Sequence, residues 1–249
     1  MARADGGQAP AADAAAPSAY VALLARAAWI QHEPAQAKRS QDEDYCVCLL
    51  ERPDGRCVFP GGQVHSMDCA IADGQFEGVG RPADLALRVA AMRSVFAETG
   101  VVLAEPAPPG ALREATREIL RRDGPRSLLD CMIVWDGGNP YPRLTLCPFD
   151  EMSVPHARVD ERAVGQMNFF ITEVPDAAEL TWAACAEENG RLRWMKPSEA
   201  MRSHRCGEIN LPEPEYCVID FLSRHLSRLA ALPVLVDGGL ITCTQQSML

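Results

Sequence analysis

The sequence predicts an α/β domain in which helices pack on a mixed β-sheet. Short apolar runs typical of buried strands alternate along the chain with longer segments whose apolar residues recur at helical spacing. The 249 residues are 47% hydrophobic and 23% charged, an ordinary globular composition with enough apolar side chains for a substantial core. No internal repeat is found. Strands interleaved with helices favour a layered α/β fold.

Seven short segments are predicted as strands because they are apolar and end at turn-forming residues or at a helical pattern. They are residues 20–30, 45–50, 57–59, 101–103, 144–147, 167–174 and 191–195. Helices are predicted at residues 83–99, 111–122 and 214–229. Residues 83–99 have the clearest pattern, since apolar side chains recur at i, i+4, i+7 and i+11 from Leu85 to Phe96, and Gly100 stands where glycine commonly ends a helix.

One domain is expected over residues 20–232. Residues 1–19 are a low-complexity tract of Ala, Pro, Gly and Asp with too little apolar surface to order itself, so we expect an N-terminal tail there. Residues 233–249 are predicted as a C-terminal tail. The sequence ends in Ser-Met-Leu, which resembles the small–basic–Leu peroxisomal tripeptide with Met at the basic position. We expect an intracellular protein, with peroxisome and mitochondrion both open.

The composition also limits the kinds of partner that the chain is expected to bind. With 24 Lys and Arg against 34 Asp and Glu, the formal charge is −10, which disfavours broad nucleic-acid binding. No apolar run approaches the roughly 18–20 residues of a membrane span. The ten cysteines include no C-x-x-C pair, so we expect buried, reduced thiols. The histidines at 65, 156, 204 and 225 lack partners at metal-ligand spacing and are expected on the surface or in the core.

The segments that best indicate a chemical function are residues 59–62 and 93–101. They read Phe-Pro-Gly-Gly and Arg-Ser-Val-Phe-Ala-Glu-Thr-Gly-Val. This pattern resembles the Nudix box, G-x5-E-x7-R-E-U-x-E-E-x-G-U, where U is a bulky aliphatic residue. The residues that match in register are Arg93, Val95, Glu98, Gly100 and Val101. Gly62 lies 31 residues before Arg93 where the box has 14, so about 17 residues are inserted.

The insertion resembles the peroxisomal coenzyme A diphosphatase branch of the Nudix superfamily. In that branch the helix opens with an acid nine residues before the arginine, which is Asp84 here. Residues 194–200 resemble the branch's W-x-x-P-S-E-A, and residues 211–216 resemble the proline-rich start of its last helix. The resemblance implies a Nudix α/β/α sandwich with a mixed sheet and the Nudix loop–helix–loop.

The same resemblance implies a Mg²⁺- or Mn²⁺-dependent site, because box carboxylates at i, i+3 and i+4 share one helix face. Those positions are Ser94, Ala97 and Glu98 in this chain, so the expected glutamates are replaced at two of three. We assign no catalytic residue. Glu98 is the metal-ligand candidate, and Glu188 is a weaker one, six residues before the tryptophan of the 194–200 motif. Glu77 and Asp84, which flank the insertion, are further acids that could compensate.

Gly61, Gly62 and Arg93 are the substrate-binding candidates that the resemblance implies. Each of these residues also has a structural interpretation. The glycines suit a turn with positive φ or a close backbone approach, and Arg93 suits a structural pair with a neighbouring acid. Glu98 could equally be a solvated carboxylate at a helix end. Residues 164–166, Val-Gly-Gln, stand where the branch tends to carry Arg-Phe-Asp, which also questions substrate recognition.

Two functions follow. The favoured hypothesis is a Nudix-fold protein of coenzyme A diphosphatase ancestry whose hydrolase activity is lost or strongly reduced. It would bind a coenzyme A or nucleotide ligand, or serve as a subunit of a larger assembly with protein partners, and would need no metal. The alternative is an active Mg²⁺-dependent hydrolase that cleaves the diphosphate of coenzyme A, acyl-CoA or a nucleoside diphosphate derivative. The carboxylate count on residues 94–98 favours the first.

Overall fold

A computed structural model describes residues 16–30, 43–75, 82–105, 107–138, 145–146, 150–152, 167–174 and 191–233. The strands are β1 Ser18–Arg26, β2 Tyr45–Glu51, β3 Cys57–Val58, β4 Gly61–Gln63, β5 Ala104–Glu105, β6 Thr145–Leu146, β7 Asp150–Met152, β8 Met167–Glu173 and β9 Arg191–Met195. The helices are α1 Ser66–Gln75, α2 Pro82–Thr99, α3 Gly110–Asp123, α4 Leu128–Trp135, α5 Pro197–Arg205 and α6 Glu213–His225.

The described strands form a seven-stranded sheet and a separate β5–β6 pair. The larger sheet runs β3-β2-β1-β8-β7, with β4 also pairing β1 and β9 also pairing β2. The β1–β8 pair is parallel and the other pairs are antiparallel. This mixed sheet, flanked by helices, confirms the predicted fold class.

The sheet separates two hydrophobic clusters, because alternate side chains of each strand point to opposite faces. On one face, residues of β1 pack with α2; these are Ala19, Val21, Leu23, Val89, Val95 and Phe96. On the other face, β1 and β2 pack with α5 and α6; these are Ala22, Leu24, Val47, Leu49, Ala200, Val218 and Leu222. The result is a helix–sheet–helix sandwich.

Helix α2 agrees with the sequence prediction to one residue. It ends at Thr99, and Gly100 follows with φ +76°, its N–H donating to the Phe96 carbonyl at 2.9 Å. Arg117 on α3 is buried and donates to the carbonyls of Ala97 and Glu98 at 3.2 and 3.1 Å. A cation at a helix C-terminus satisfies carbonyls that have no partner within the helix.

Other boundaries differ from the predictions. Strand β1 begins at Ser18, so residues 18 and 19, expected in the tail, belong to the sheet, and β1 ends at Arg26 in a 3-10 turn instead of reaching residue 30. The segment 101–103 is buried but forms no strand; the short β5 follows it. Strand β9 matches its predicted bounds. The last helix, α6, stops at His225, four residues before the predicted end.

Five described elements had no counterpart in the sequence prediction. They are α1, α4, α5 and the short strands β5 and β7. Strand β4 was expected to be a turn. None of the described helices is long and apolar enough to cross a membrane.

The cysteines of the described segments are free, with four of them buried and Cys69 and Cys206 exposed. Burial raises the pKa of the Cys46 thiol to about 12 and that of Cys131 to about 11, which makes these thiols poorly reactive.

Candidate functional site

Gly61 and Gly62 are glycines because β4 lies very close to its neighbours. Neither has a positive φ. A Cβ on Gly61 would lie 2.4 Å from the Ala19 carbonyl oxygen and 2.7 Å from Tyr20 Cα, and both atoms are backbone. A Cβ on Gly62 would lie 2.9 Å from Ser94 Oγ. Of the two interpretations given above, close approach is therefore the correct one, and it brings β1, β4 and α2 together at one point.

Glu98 lies at this point, and both of its carboxylate oxygens have partners. Oε1 accepts a hydrogen bond from Arg52 Nη2 at 2.6 Å, and Oε2 accepts one from the Gly61 N–H at 2.9 Å. The Glu98 side chain is 18% exposed, and burial raises its pKa while Arg52 and the Gly61 N–H oppose that shift. The interpretation of Glu98 as a solvated carboxylate is wrong.

Arg52 was not identified from the sequence as a site residue. It follows β2 directly, and strand alternation places it on the same face as Cys48, which packs in the cluster against α2. A tight turn holds its backbone, with the Arg52 N–H donating to Arg56 O at 2.7 Å and the Gly55 N–H donating to Arg52 O at 2.8 Å. Alternation along β2 was the signal that could have found it.

The neighbours of Glu98 do not complete a cation site. Ser94 is buried and faces Gly62, and Ala97 packs against the core. Within the described segments, no group of three or more His, Cys, Asp or Glu residues could hold a metal ion. Mg²⁺ prefers several hard oxygen ligands, usually carboxylates with phosphate and water. A single carboxylate already bound by a guanidinium does not fit that ion.

The structure does not describe the side chains of the other candidate acids. Glu77 and Glu188 lie outside the described residues, as do residues 164–166. Asp84 belongs to the first turn of α2, and its side chain is outside the description. Their roles stay predictions.

Arg93 is held by a buried acid. Its Nε and Nη2 donate to the two oxygens of Asp68 at 2.8 and 2.9 Å, and Nη2 also donates to the Gln63 carbonyl at 2.8 Å. Asp68 is fully buried and also accepts from the His65 N–H at 2.8 Å. These contacts join α1 and β4 to α2, which favours the structural interpretation of Arg93 over substrate binding.

Asp68 stands at the glutamate position of G-x5-E counted from Gly62, and this spacing was the signal that could have found it. The acid of the motif was instead expected at Asp84. The inserted residues therefore lie between Asp68 and Arg93.

A second acid lies on the opposite face of the sheet. Glu215, in the first turn of α6, is 2% exposed, and among the described residues its Oε2 has no hydrogen-bond partner. Burial raises its pKa to about 7. It acts electrostatically on Tyr20, whose pKa is raised first by burial and then by Glu215, with a smaller contribution from Glu98. The Tyr20 ring stacks on Phe169 with centroids 5.5 Å apart.

Two of the described histidines make local hydrogen bonds, and the third, His225, lies against the Phe221 ring with centroids 4.7 Å apart. Nδ1 of His65 accepts from the Met67 N–H at 3.2 Å, and Nδ1 of His204 accepts from the Leu211 N–H at 3.1 Å. Both contacts suit structural roles. His156 lies outside the described residues.

The fold is that of a Nudix hydrolase. A crystal structure of a NUDIX hydrolase from Alicyclobacillus acidocaldarius superposes with a TM-score of 0.61, covering 90% of this chain and 96% of that one, at 15% sequence identity. Neither a family model nor a curated protein matches the sequence. The structural likeness confirms the predicted α/β/α Nudix sandwich.

Proposed function

We propose that this chain is a Nudix-fold protein of coenzyme A diphosphatase ancestry that binds a phosphate-bearing ligand and has lost, or strongly reduced, metal-dependent hydrolysis. One observation carries the proposal. Glu98, the remaining carboxylate among the three box positions, is bound by Arg52 at 2.6 Å and by the Gly61 N–H at 2.9 Å. The sequence resemblance supports coenzyme A or a nucleotide as the ligand, and the fold supports a Nudix-type function.

The energetics favour this proposal. A divalent ion would have to displace the Arg52 guanidinium from Glu98, and hydrogen bonds to charged groups contribute about 1.5–3 kcal/mol each. With Ser94 and Ala97 at the neighbouring positions, the ion would gain no further carboxylate from this helix face. Losing one positioned acid or base typically reduces a rate by roughly 10²–10⁴-fold. A role as a subunit of a larger assembly is also compatible with a protein that keeps the Nudix fold but no longer hydrolyses a substrate.

Glu215 favours a second candidate, an active Mg²⁺-dependent diphosphatase. A buried carboxyl with a pKa of about 7 has the proton affinity of a general base, and perturbed acids of this kind concentrate at functional sites. We rank this candidate second because Glu215 packs on the face of the sheet away from α2, where the box residues lie.

The two candidates are separated by incubating the full chain with coenzyme A and Mg²⁺ or Mn²⁺. The assay measures 3′,5′-ADP and phosphopantetheine, and a parallel titration in EDTA measures coenzyme A binding. We expect saturable binding in EDTA and no turnover in the ordinary range of roughly 1–10³ s⁻¹. Turnover in that range would establish the hydrolase, while an absence of binding to coenzyme A and to nucleoside diphosphates would remove the ligand assignment.

A further inference from the structure

The Arg52–Glu98 pair is largely buried but remains partly accessible to solvent. The Arg52 side chain is 29% exposed and that of Glu98 is 18% exposed, so the pair lies at the surface of the β4–α2 junction. The contact with Glu98 is made by Nη2. A guanidinium has five N–H donors arranged as a fork that matches the oxygens of a phosphate.

The charges of the chain explain why a fixed cation such as Arg52 is important for binding an anion. The chain has a formal net charge of −10, which disfavours the binding of anions in general. In a site that holds a divalent ion, that ion neutralises both the carboxylates and the phosphate oxygens. Here the positive charge next to Glu98 is covalently part of the chain.

We propose that the Arg52 guanidinium takes the place of a divalent cation at Glu98 and binds the phosphate oxygens of the ligand, so that phosphate recognition at this site is independent of metal. This inference rests on the proposed function and names how that site recognises its ligand. Glu98 then serves to orient Arg52. Because it is also an anion beside the incoming phosphate, it weakens binding while it holds the arginine in place.

Inorganic pyrophosphate is the probe, titrated calorimetrically into the full chain with EDTA and, separately, with Mg²⁺. We expect binding in EDTA and no gain in affinity with Mg²⁺, since the ion neutralises part of the negative charge of pyrophosphate that Arg52 would recognise. Arg52→Gln should weaken binding by about tenfold or more, since a charge-assisted contact is lost. Glu98→Gln should tighten binding several-fold in EDTA, because the competing negative charge is removed. With Mg²⁺ present, a metal-ligand role for Glu98 predicts the opposite result, a weaker binding of pyrophosphate by Glu98→Gln.

Arg193→Gln is the matched control. Arg193 is also 29% exposed and is paired with Glu51 at 2.8 Å on the adjoining strands, so its loss should leave pyrophosphate affinity unchanged. Circular dichroism and urea unfolding verify that each variant folds, and Arg52→Lys provides a charge-conserving variant expected to retain part of the affinity. Succinate, titrated as a carboxylate probe, should bind more weakly than pyrophosphate.

The proposal is overturned if pyrophosphate binding requires Mg²⁺, if Arg52→Gln binds as well as the parent chain, or if succinate binds as tightly as pyrophosphate. These failures differ from failure of the proposed function. If coenzyme A binds in EDTA without turnover while Arg52→Gln has no effect, the proposed function stands and only the role of Arg52 is wrong.

Discussion

Arg93 and Asp68 form a two-pronged ion pair at 2.8 and 2.9 Å that joins the box helix α2 to helix α1. Asp68 is fully buried and Arg93 is 8% exposed. Removing one member of a buried pair leaves an uncompensated charge, which typically costs about 3–5 kcal/mol. We therefore expect Asp68→Ala to lower the free energy of unfolding by that amount, measured by urea denaturation.

Asp220→Ala is the control for this prediction. Asp220 pairs with Arg224 at 2.9 Å one turn away on α6, but the arginine is 69% exposed. Exposed pairs contribute at most about 1 kcal/mol, so the loss should be small. The double variant Asp68→Leu with Arg93→Met should recover part of the stability lost in Asp68→Ala. Equal losses in Asp68→Ala and Asp220→Ala would show that the α1–α2 pair is not structural.

Local sequence patterns predict some elements of the molecule and not others. The amphipathic repeat and Gly100 located α2 to one residue, because helix period and capping are local properties. Helix α1 was missed because its sequence, SMDCAIADGQ, is short, and one of its attachments is Asp68 binding Arg93, 25 residues away, which no local pattern reveals. Residues 101–103 were assigned to a strand because an apolar run indicates burial but does not indicate pairing.

Only part of the candidate site was predicted, because spacing along the chain identifies residues of the motif but not their distant partners. The box spacing identified Gly61, Gly62, Arg93 and Glu98, which do meet at one junction. The partner of Glu98 was not predictable from spacing, since Arg52 lies 46 residues before it and reaches it only through the alternation of β2. Glu215 lies within the 211–216 motif, but its burial becomes visible only when α6 packs on the sheet.

The two glycines of β4 should respond differently to alanine. Gly61→Ala places Cβ against backbone atoms of β1, at 2.4 Å from Ala19 O, so we expect a loss of about 1–3 kcal/mol or more. Gly62→Ala meets the Ser94 hydroxyl at 2.9 Å, a side-chain atom that can move or be removed. We expect a smaller loss there.

Ser94→Ala tests this difference directly. It should rescue Gly62→Ala, because the remaining Ser94 Cβ would be 3.7 Å away, and should leave Gly61→Ala unimproved. Urea midpoints of the single and double variants measure both effects. Rescue of Gly61→Ala by Ser94→Ala would contradict the assignment of its clash to the β1 backbone.

Restoring the box carboxylates should restore cation binding. Ser94→Glu with Ala97→Glu places three carboxylates at i, i+3 and i+4 on one face of α2, the spacing that brings side chains together. We expect measurable Mn²⁺ binding by electron paramagnetic resonance, strengthened further when Arg52→Gln is added because the competing guanidinium is removed. Ser94→Gln with Ala97→Gln is the matched control and should bind no Mn²⁺. No gain in the glutamate variant would mean that the geometry of this junction is closed to the ion.

Glu215 should make stability fall as pH rises through the acidic and neutral range. Its carboxyl has a reference pKa of 4.5 and a folded-state pKa of about 7, so the folded protein retains a proton that the unfolded chain releases. The unfolding free energy therefore decreases between those two values, by on the order of 1–3 kcal/mol. Glu215→Gln should remove most of this slope and stabilise the protein at pH 8.

The measurement is urea denaturation from pH 4 to 8, with the exposed neighbour Glu213→Gln as the control expected to retain the parent slope. An unchanged slope in Glu215→Gln would show that Glu215 is ionised at neutral pH, and it would also remove the support that this residue provides for the active diphosphatase.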